Sequence, residues 1–500
     1  MKRYIILFAV TLLFSGSVFS QTYLDALRFS QQDFEGTARF TSMGGAFGAL
    51  GGDFTSLSLN PAGIGVYRSS ELTITPTLSH NKVKSEYMNV NTDDSHTRFS
   101  LSNIGYVGTF MTGKENGLVS INFGVGYNKA MSYYRNTAMR GGNSESSIMD
   151  HLASKANSDL EYFNPDDFEA DNAFYHFSPG DWDVVMAYGT NIIEWNKFND
   201  GMYDPHLEVS DNGVYDKVRQ LRYTTQSGTN GEYVFSFGGN ISNKFYFGAT
   251  FGLQDLFYEN TVEYAETAVS GNISNFDNFS YREYFHTSGT GYNIKLGVIY
   301  RPISEIRIGA AIHTPTYFYL TDEYWARMNS RIGSQNYEKR PSDPNLFDYR
   351  INTPLRLIGS FAYTFGKVGL LSVDYEYINY SGVRMNNRNG DRRVFDGEND
   401  IIKEYLRGTS NVRVGGEAWL SNNFVLRAGF MYNESADKEY DMKKFTYSVG
   451  LGYKYNNFFA DFAYAITSTK DYYSPYSTAP LMVTEKDLRN RFMLTFGFRF

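Results

Sequence analysis

The chain has seven histidines, His80, His96, His151, His176, His206, His286 and His313. A metal site needs such ligands paired at coordination spacing, and none of these is. A loop histidine such as His96 or His176 has the chemistry of a haem axial ligand, but nothing in the sequence selects one. Gly44, Gly45, Gly48, Gly51 and Gly52 invite comparison with a phosphate loop. No Gly-Lys-Ser/Thr follows and no strand precedes, so that reading fails. Serine hydrolysis needs a nucleophile elbow or a His–Ser pair, and the expected register brings no such pair together. There is no cysteine, which removes disulfides, thiolate metal sites, cysteine nucleophiles and an acylated-cysteine anchor. Eight acids lie between Glu145 and Asp171 with Lys155 the only Lys or Arg among them. They read as a solvated loop face before a divalent-cation site. The chain is therefore expected to be no enzyme and to need no cofactor and no metal.

The remaining charges are ordered by strands. From about residue 70 the sequence alternates with period two. Phe445, Tyr447, Val449, Leu451, Tyr453 and Tyr455 fall on one face, and Thr446, Ser448, Gly450, Gly452 and Lys454 on the other. The same pattern recurs around 245–253, 292–300, 355–365, 424–432 and 492–500. The second face carries Gly, Ser, Thr, Asn and single charges, unlike the Lys- and Glu-rich outer face of a soluble sandwich. The apolar face is aromatic, and Tyr, Phe and Trp make up 17% of the chain. An outward lipid face with aromatic girdles around a polar lumen has this composition, and closure removes the strand edges. Net charge is -8, with bases scattered, which argues against a nucleic-acid partner.

The fold class expected is all-β: a transmembrane barrel of fourteen antiparallel strands. The spans are near 71–82, 97–112, 117–130, 232–242, 244–264, 278–301, 304–322, 349–365, 367–382, 403–421, 423–434, 443–456, 457–470 and 488–500. Short connections alternate with long ones near 83–96, 131–231, 265–277, 323–348, 383–402, 435–442 and 471–487. That alternation is the barrel's own signature, with the short turns periplasmic. The largest loop, 131–231, is expected to hold a helix over Ser144 to Leu160 and a second short helix or amphipathic lid over 183–197.

Three domains follow. Residues 1–20 read as a signal peptide: Lys2 and Arg3, an apolar run from Tyr4 to Phe14, then small residues before Gln21. Residues 21–69 lack sustained alternation and are expected to fold inside the barrel as a plug. Residues 70–500 form the barrel. The register points Lys295, Arg307, Arg356, Arg413 and Arg427 into the lumen, with Asp374, Glu376, Glu417 and Asp461 interleaved. Such bases hold a ligand carboxylate or brace the barrel, and interleaved signs favour bracing.

Residues 36–65, GTARFTSMGGAFGALGGDFTSLSLNPAGIG, resemble the N-terminal hatch of the FadL/TodX family of outer-membrane transporters. The resemblance rests on the Gly-Gly-Ala-Phe stretch, the Asp-bearing spacer and above all Asn60, Pro61, Ala62 and Gly63. With the signal, the strand count and the terminal aromatic it covers the whole chain, as a Bacteroidetes-type member. It implies passive uptake of long-chain fatty acids or aromatic hydrocarbons across the outer membrane of a Gram-negative bacterium. Ligand is caught in an apolar groove among the loops, the hatch moves, and ligand leaves sideways near a kinked third strand. Gly124 and Gly126 would permit that kink. Some relatives carry a hemin-receptor label, which leaves hemin as an alternative cargo; an adhesin or lipase-type barrel is a further alternative. The partners implied are a hydrophobic ligand, outer-membrane lipid and lipopolysaccharide, and the barrel-assembly machinery, which reads the terminal Phe500. A monomer is expected.

Overall fold

Alternating side chains can all be satisfied only if the sheet closes, and it does. The computed structural model describes residues 22–170, 172–197, 201–208, 216–269, 272, 274–389 and 393–500. The signal-peptide reading and Asp171 lie outside them. Fourteen wall strands are present. They are β1 (Glu71–Tyr87), β2 (Val90–Met111), β3 (Leu118–Ser132, continued by Arg135–Ser144), β4 (Val218–Ile241), β5 (Phe245–Ala268), β6 (Phe276–Tyr300) and β7 (Ile306–His313, continued by Tyr317–Ile332). They continue as β8 (Asn345–Asn352, then Arg356–Phe365), β9 (Gly369–Asn379), β10 (Gly408–Trp419), β11 (Phe424–Asn433), β12 (Lys444–Tyr455), β13 (Phe458–Tyr473) and β14 (Val483–Arg499). Each pairs antiparallel with the next, and β14 returns to β1 from Glu71↔Arg499 to Glu86↔Thr484. All fourteen expected strands are found, in order.

Side-chain direction follows the alternation. Leu296, Phe361, Val449 and Leu451 point outward and are about half exposed, while Thr250, Asp374, Ser448 and Thr495 point inward and are buried. Strands extend further at the long-loop end than expected. The 83–96 connection is no loop but the tip of the β1–β2 hairpin, closed by Met88 and Asn89 at positive φ. Likewise β3 runs on to Ser144 and β4 starts at Val218, so the largest connection is 145–217. Both extensions are polar at most positions, with only scattered buried apolar residues such as Val83, Tyr87 and Met139, which hides their period.

That connection folds as a small unit. Helix Ile148–Asn157 lies within the expected 144–160 span, started by Ser147, whose side chain accepts from Met149 N–H. The second expected helix covers Trp182–Gly189 only, and Ile193–Asn196 then pairs with Met202–Pro205 as a hairpin. Its apolar faces share one buried cluster with Met139 of β3, Tyr264 of β5, Phe279 of β6 and Met328 of β7.

The N-terminal segment threads the lumen. Helix α1 (Tyr23–Ser30) starts from a capping box, with Asp25 accepting from the Thr22 N–H at 3.0 Å. Helix α2 (Ala38–Ser42) is capped by Thr37, and two 3-10 turns, Phe54–Ser58 and Pro61–Val66, are capped by Asp53 and Asn60. Hydrogen bonds tie this segment to strands all round the barrel. Ala38 N–H donates to Thr495 Oγ1 at 2.7 Å, Gly44 N–H to Ser448 Oγ at 3.2 Å and Gly48 N–H to Asp374 Oδ2 at 2.9 Å. Asn128 donates to Ser58 Oγ at 2.9 Å and Thr250 to the Leu57 carbonyl at 3.1 Å. Inward glycines let the two surfaces meet. A Cβ on Gly429 would land on the Gly44 nitrogen, and one on Gly248 on the Pro61 carbonyl, so no larger residue fits either place.

Candidate functional site

The Asn60 side chain makes three hydrogen bonds. Its Nδ2 donates to the Gly48 carbonyl at 2.6 Å and to the Val298 carbonyl of β6 at 3.2 Å. Its Oδ1 accepts from Ala62 N–H at 3.1 Å. Pro61 opens the 3-10 turn with a fixed φ, and Gly63 N–H closes back on the Asn60 carbonyl at 3.0 Å. One carbonyl earlier, Leu59 faces the His313 Nε2 of β7 at 2.7 Å. The Asn60–Gly63 stretch thus joins three hatch segments to the wall, and Ala62 is fully buried against Tyr246 and Ile299.

The five lumen bases all face partners. Lys295 pairs with Glu232 at 2.5 Å, and Arg307 donates to the Leu50 carbonyl at 2.7 Å. Arg356 donates to the Ser30 carbonyl at 2.6 Å and lies 3.5 Å from Glu376, which also takes Arg413 at 2.7 Å. Arg427 bridges Glu417 at 2.7 Å and Asp461 at 2.5 Å, and Glu417 in turn holds Arg39 of the hatch at 3.2 Å. Each contact either closes an ion pair between strands one or two apart or grips the hatch.

Gly124 and Gly126 do not kink β3. Gly124 pairs with Val107 and Ser236, and Gly126 with Gly105 and Val234, so the ladder is continuous on both sides. A Cβ at Gly126 would strike Phe54 of the hatch, and one at Gly124 would press on Leu57. These glycines make room for the hatch.

The ladder parts just beyond them. β2 and β3 pair from Met111↔Ser120 up to Asn103↔Asn128 and no further. Above that level β2 stays with β1, whereas β3 bulges at Lys129/Met131 and stays with β4. The hatch fills the fork. Glu35 N–H donates to the Lys129 carbonyl at 2.9 Å and Asp33 N–H to the Ala130 carbonyl at 2.7 Å, a strand-like bridge. Lys129 Nζ reaches Glu35 Oε2 at 3.1 Å and Ser100 Oγ of β2 at 2.6 Å, and Ser102 Oγ is 3.5 Å from Glu35. Behind them Arg491 of β14 lies 3.5 Å from Asp33 and 3.9 Å from Glu35, with Lys444 of β12 2.5 Å from Asp33. Burial alone would raise the Asp33 carboxyl, but Arg491 and Lys444 hold it well below the usual carboxylate range.

Sequence reasoning missed Lys129, Asp33 and Glu35. By parity Lys129 follows Phe123, Val125 and Tyr127 onto the outward face, and the bulge turns it inward. A lysine in phase with lipid-facing residues was the available signal.

Cavities flank the hatch. One of about 440 Å³ lies toward the long loops, lined by Leu24, Leu27 and Arg28 of α1 with Met131, Arg135 and Ile378 of the wall. Another of about 530 Å³ lies toward the short turns, lined by Arg39, Asp53, Glu417, Trp419, Arg427 and Asp461. The upper cavity carries charges of both signs beside apolar surface. Among the loops, aromatic and aliphatic side chains are packed into a core.

Glu266 of β5 fastens that core, beyond the last outward apolar side chain of its strand. It accepts from Ser147 Oγ, from Ile148 N–H at 3.1 Å, from Gln220 Nε2 at 3.0 Å and from Tyr264 OH at 2.6 Å. Burial pushes its carboxyl up despite these donors. A raised folded value means that docking is strongest below the ordinary carboxylate range and weakens as pH rises through the raised one. Protease cleavage within 145–217 is therefore expected to increase across that window, and Glu266→Gln should flatten the dependence. An unchanged slope in the variant would assign the effect elsewhere.

One expectation needs correction: a His–Ser pair does form. Ser477 Oγ lies 2.9 Å from His151 Nδ1 and 3.3 Å from Nε2, tying two loops together. Both ring nitrogens face the same hydroxyl, so no relay runs through the imidazole. Among the described residues no cluster of three or more metal-ligating side chains occurs, and no helix is long and apolar enough to cross a membrane.

No protein-family model and no curated protein matches the sequence. Solved structures do match. A FadL homologue of Pseudomonas aeruginosa superposes with a TM-score of 0.54 at 12% identity, over 93% of this chain and 98% of that one. The Pseudomonas putida toluene transporter TodX gives 0.52 at 13%, over 94% and 99%. The chain has the FadL/TodX fold. The Ralstonia pickettii toluene transporter TbuX agrees, with a TM-score of 0.50 at 14% identity over 93% and 98%. Within the FadL/TodX fold, almost the whole length of each neighbour is accounted for by this chain.

Proposed function

We propose that this chain is an outer-membrane channel for passive uptake of hydrophobic compounds, with residues 1–20 removed as a signal, 21–69 as hatch and 70–500 as barrel. The observation that carries the reading is the β2–β3 fork stoppered by Asp33 and Glu35. A hatch that completes the wall with its own backbone can open that wall sideways when it shifts. Ligand enters the cavity of about 440 Å³ from the loop side. Displacing the Glu35–Lys129 contact then lets it leave into the membrane between β2 and β3. Asn60 to Gly63 anchor the rest of the hatch against β6, and the five lumen bases brace. The cavity's mixed lining favours amphiphiles such as long-chain fatty acids over bare hydrocarbons.

The test is uptake of labelled oleate, with toluene and hemin in parallel, in a strain lacking the gene and in one complemented with it. Oleate uptake is expected to depend on the gene; equal uptake of all three without it would remove the proposal. The route has its own test. Cysteines at Glu35 and Ser102, joined by a disulfide or a short thiol cross-linker, should stop uptake, and reductant should restore a disulfide-locked variant. Uptake that persists in the locked protein would eliminate the lateral path.

Phe500 is assigned to assembly. Its backbone pairs with Ser70 at 3.0 and 3.1 Å, and its ring is 60% exposed beside Tyr106 and Phe498. Backbone pairing survives most substitutions, so the exposed ring is what a receptor would read. Removing Phe500 should lower the amount of barrel in the outer membrane, read by heat-modifiable gel mobility. A normal amount would reassign the residue.

A further inference from the structure

Three lysines stand side by side on the outer wall, and among the described residues none of them has an ion-pair partner. Lys470 of β13 is directly opposite Lys486 of β14, which is directly opposite Lys84 of β1. All three are exposed. Strands about 4.8 Å apart put the three Cα atoms within about 10 Å. Like charges facing one another across a ladder destabilise it, so such a row calls for a counter-charge. Among the described residues no acid forms an ion pair with the row, and Asp93 alone lies close enough to act on Lys84. Asp93, opposite Lys84, gives its carboxylate to Lys82 at 2.6 Å, and Glu86 is one outward position further along β1. Asp471, Glu485 and Asp487 of the same strands turn inward to Arg135.

Height decides what the row meets. Directly below it, in register, come Ser468, Leu488 and Lys82, then Ile466, Asn490 and His80, then Tyr464, Phe492, Leu78 and Phe99. Leu78, Phe492 and Phe99 are exposed members of the outward apolar band, and Leu488 carries that band up to within two residues of Lys486. Two residues of strand are about 7 Å, a distance that lysine stems span by snorkelling. The apolar band therefore ends in a ladder of bases, His80, Lys82, then the three-lysine row. A lipid whose chains lie on the band carries its headgroup to that level.

We propose that the Lys84–Lys486–Lys470 row is a binding site for the phosphates of an outer-leaflet glycolipid whose acyl chains lie on β13, β14 and β1. The inference rests on the membrane placement proposed above and not on the cargo. Two phosphates match three adjacent ammonium groups in charge, and the continuous apolar surface beneath supplies the chain contact that a free anion lacks. In a chain of net charge -8, such a concentration of bases without ion pairs among the described residues serves an anion from outside.

The experiment uses the full chain in detergent and native mass spectrometry to measure retention of bisphosphorylated lipid A. Dephosphorylated lipid A and inorganic phosphate serve as the other probes. The variant is K84Q/K470Q/K486Q. The control is K403Q/K443Q, which removes two lysines paired with Asp400 and Asp441 elsewhere. Retention by the triple variant is expected to fall about a hundredfold, from the increment each lysine contributes near an anionic surface. The control should match the parent. Equal loss in both variants, no loss in the triple, or equal retention of the dephosphorylated lipid by the parent would overturn the site. Displacement of the lipid by millimolar phosphate would also overturn it, in favour of a free-anion site. Heat-modifiable mobility reports folding of each variant. Should the triple variant not fold, K486Q alone removes the middle charge and is expected to lower retention severalfold; unchanged retention there overturns the site too. Uptake of oleate is a separate readout: its loss with lipid retention intact counts against the channel alone.

Discussion

Replacing Lys129 with alanine is expected to free the hatch from the β2–β3 fork while the barrel stays assembled. Lys129 and Glu35 are both almost inaccessible, with side chains 4% and 1% exposed. Removing one partner of a buried ion pair typically costs about 3–5 kcal/mol, because the other charge stays desolvated. Arg491, 3.9 Å away and shared with Asp33, relieves only part of this. Most of the loss falls on hatch docking: the β3–β4 ladder does not use the lysine side chain, and on the wall only its hydrogen bond to Ser100 is lost. Hydrogen exchange should report it at the Asp33 and Glu35 amides, which bond to the Ala130 and Lys129 carbonyls. Their exchange should accelerate by about a hundredfold or more, the opening equivalent of that energy. A second variant, Lys129→Met with Glu35→Leu, removes both charges and should recover most of the protection, since apolar pairs replace buried ion pairs at little cost. Protection unchanged in Lys129→Ala would show that backbone bridging alone holds the fork shut.

Asn60→Ala is expected to loosen gating and to leave assembly intact. The substitution deletes three hydrogen bonds and strips a partner from the buried Gly48 carbonyl and from the part-buried Val298 carbonyl. At about 1 kcal/mol per bond, more where a buried acceptor goes unpaired, the loss is about 3–5 kcal/mol. All of it falls on the hatch and its contact with β6. Pro61 and the Ala62–Val66 turn keep their own backbone preference, so local conformation survives. In planar bilayers the variant should show frequent conducting events where the parent is closed, with heat-modifiable mobility unchanged. Disappearance of the folded barrel would make Asn60 an assembly residue and contradict the assignment.

Much of the architecture is visible in the sequence because one face of each strand is uniform. The runs around Phe445–Tyr455 and Phe492–Phe500 leave no choice of period, and the order and direction of all fourteen strands follow. The hatch is legible by contrast, as glycine-rich chain without alternation. Where both faces are polar, the signal vanishes. Residues 83–96 and 135–144 are strands in which most positions of either face are polar, with Val83, Tyr87, Ala138 and Met139 as scattered buried exceptions. Pro315 and Pro354 interrupt β7 and β8 at the same level, between His313↔Arg356 and Tyr317↔Asn352, without ending either strand. The site was less legible than the fold. Asn60 announces itself beside Pro61, and the lumen bases follow from parity. Lys129 does not, because a single bulge reverses its face and only the three-dimensional partner, Glu35, explains why.

The hatch's bonds also set the order in which the molecule can be made. Ala38 leaves the ribosome early, yet its partner Thr495 lies 457 residues later, and Gly44 waits 404 residues for Ser448. Closing contacts of such separation is slow and comes late. The first segment translated is therefore the last to find its place. Its bonds to Ser448 and Thr495 can close only after β12 and β14 are in place. Completion of the wall is recorded at the opposite end of the chain from the residue that achieves it.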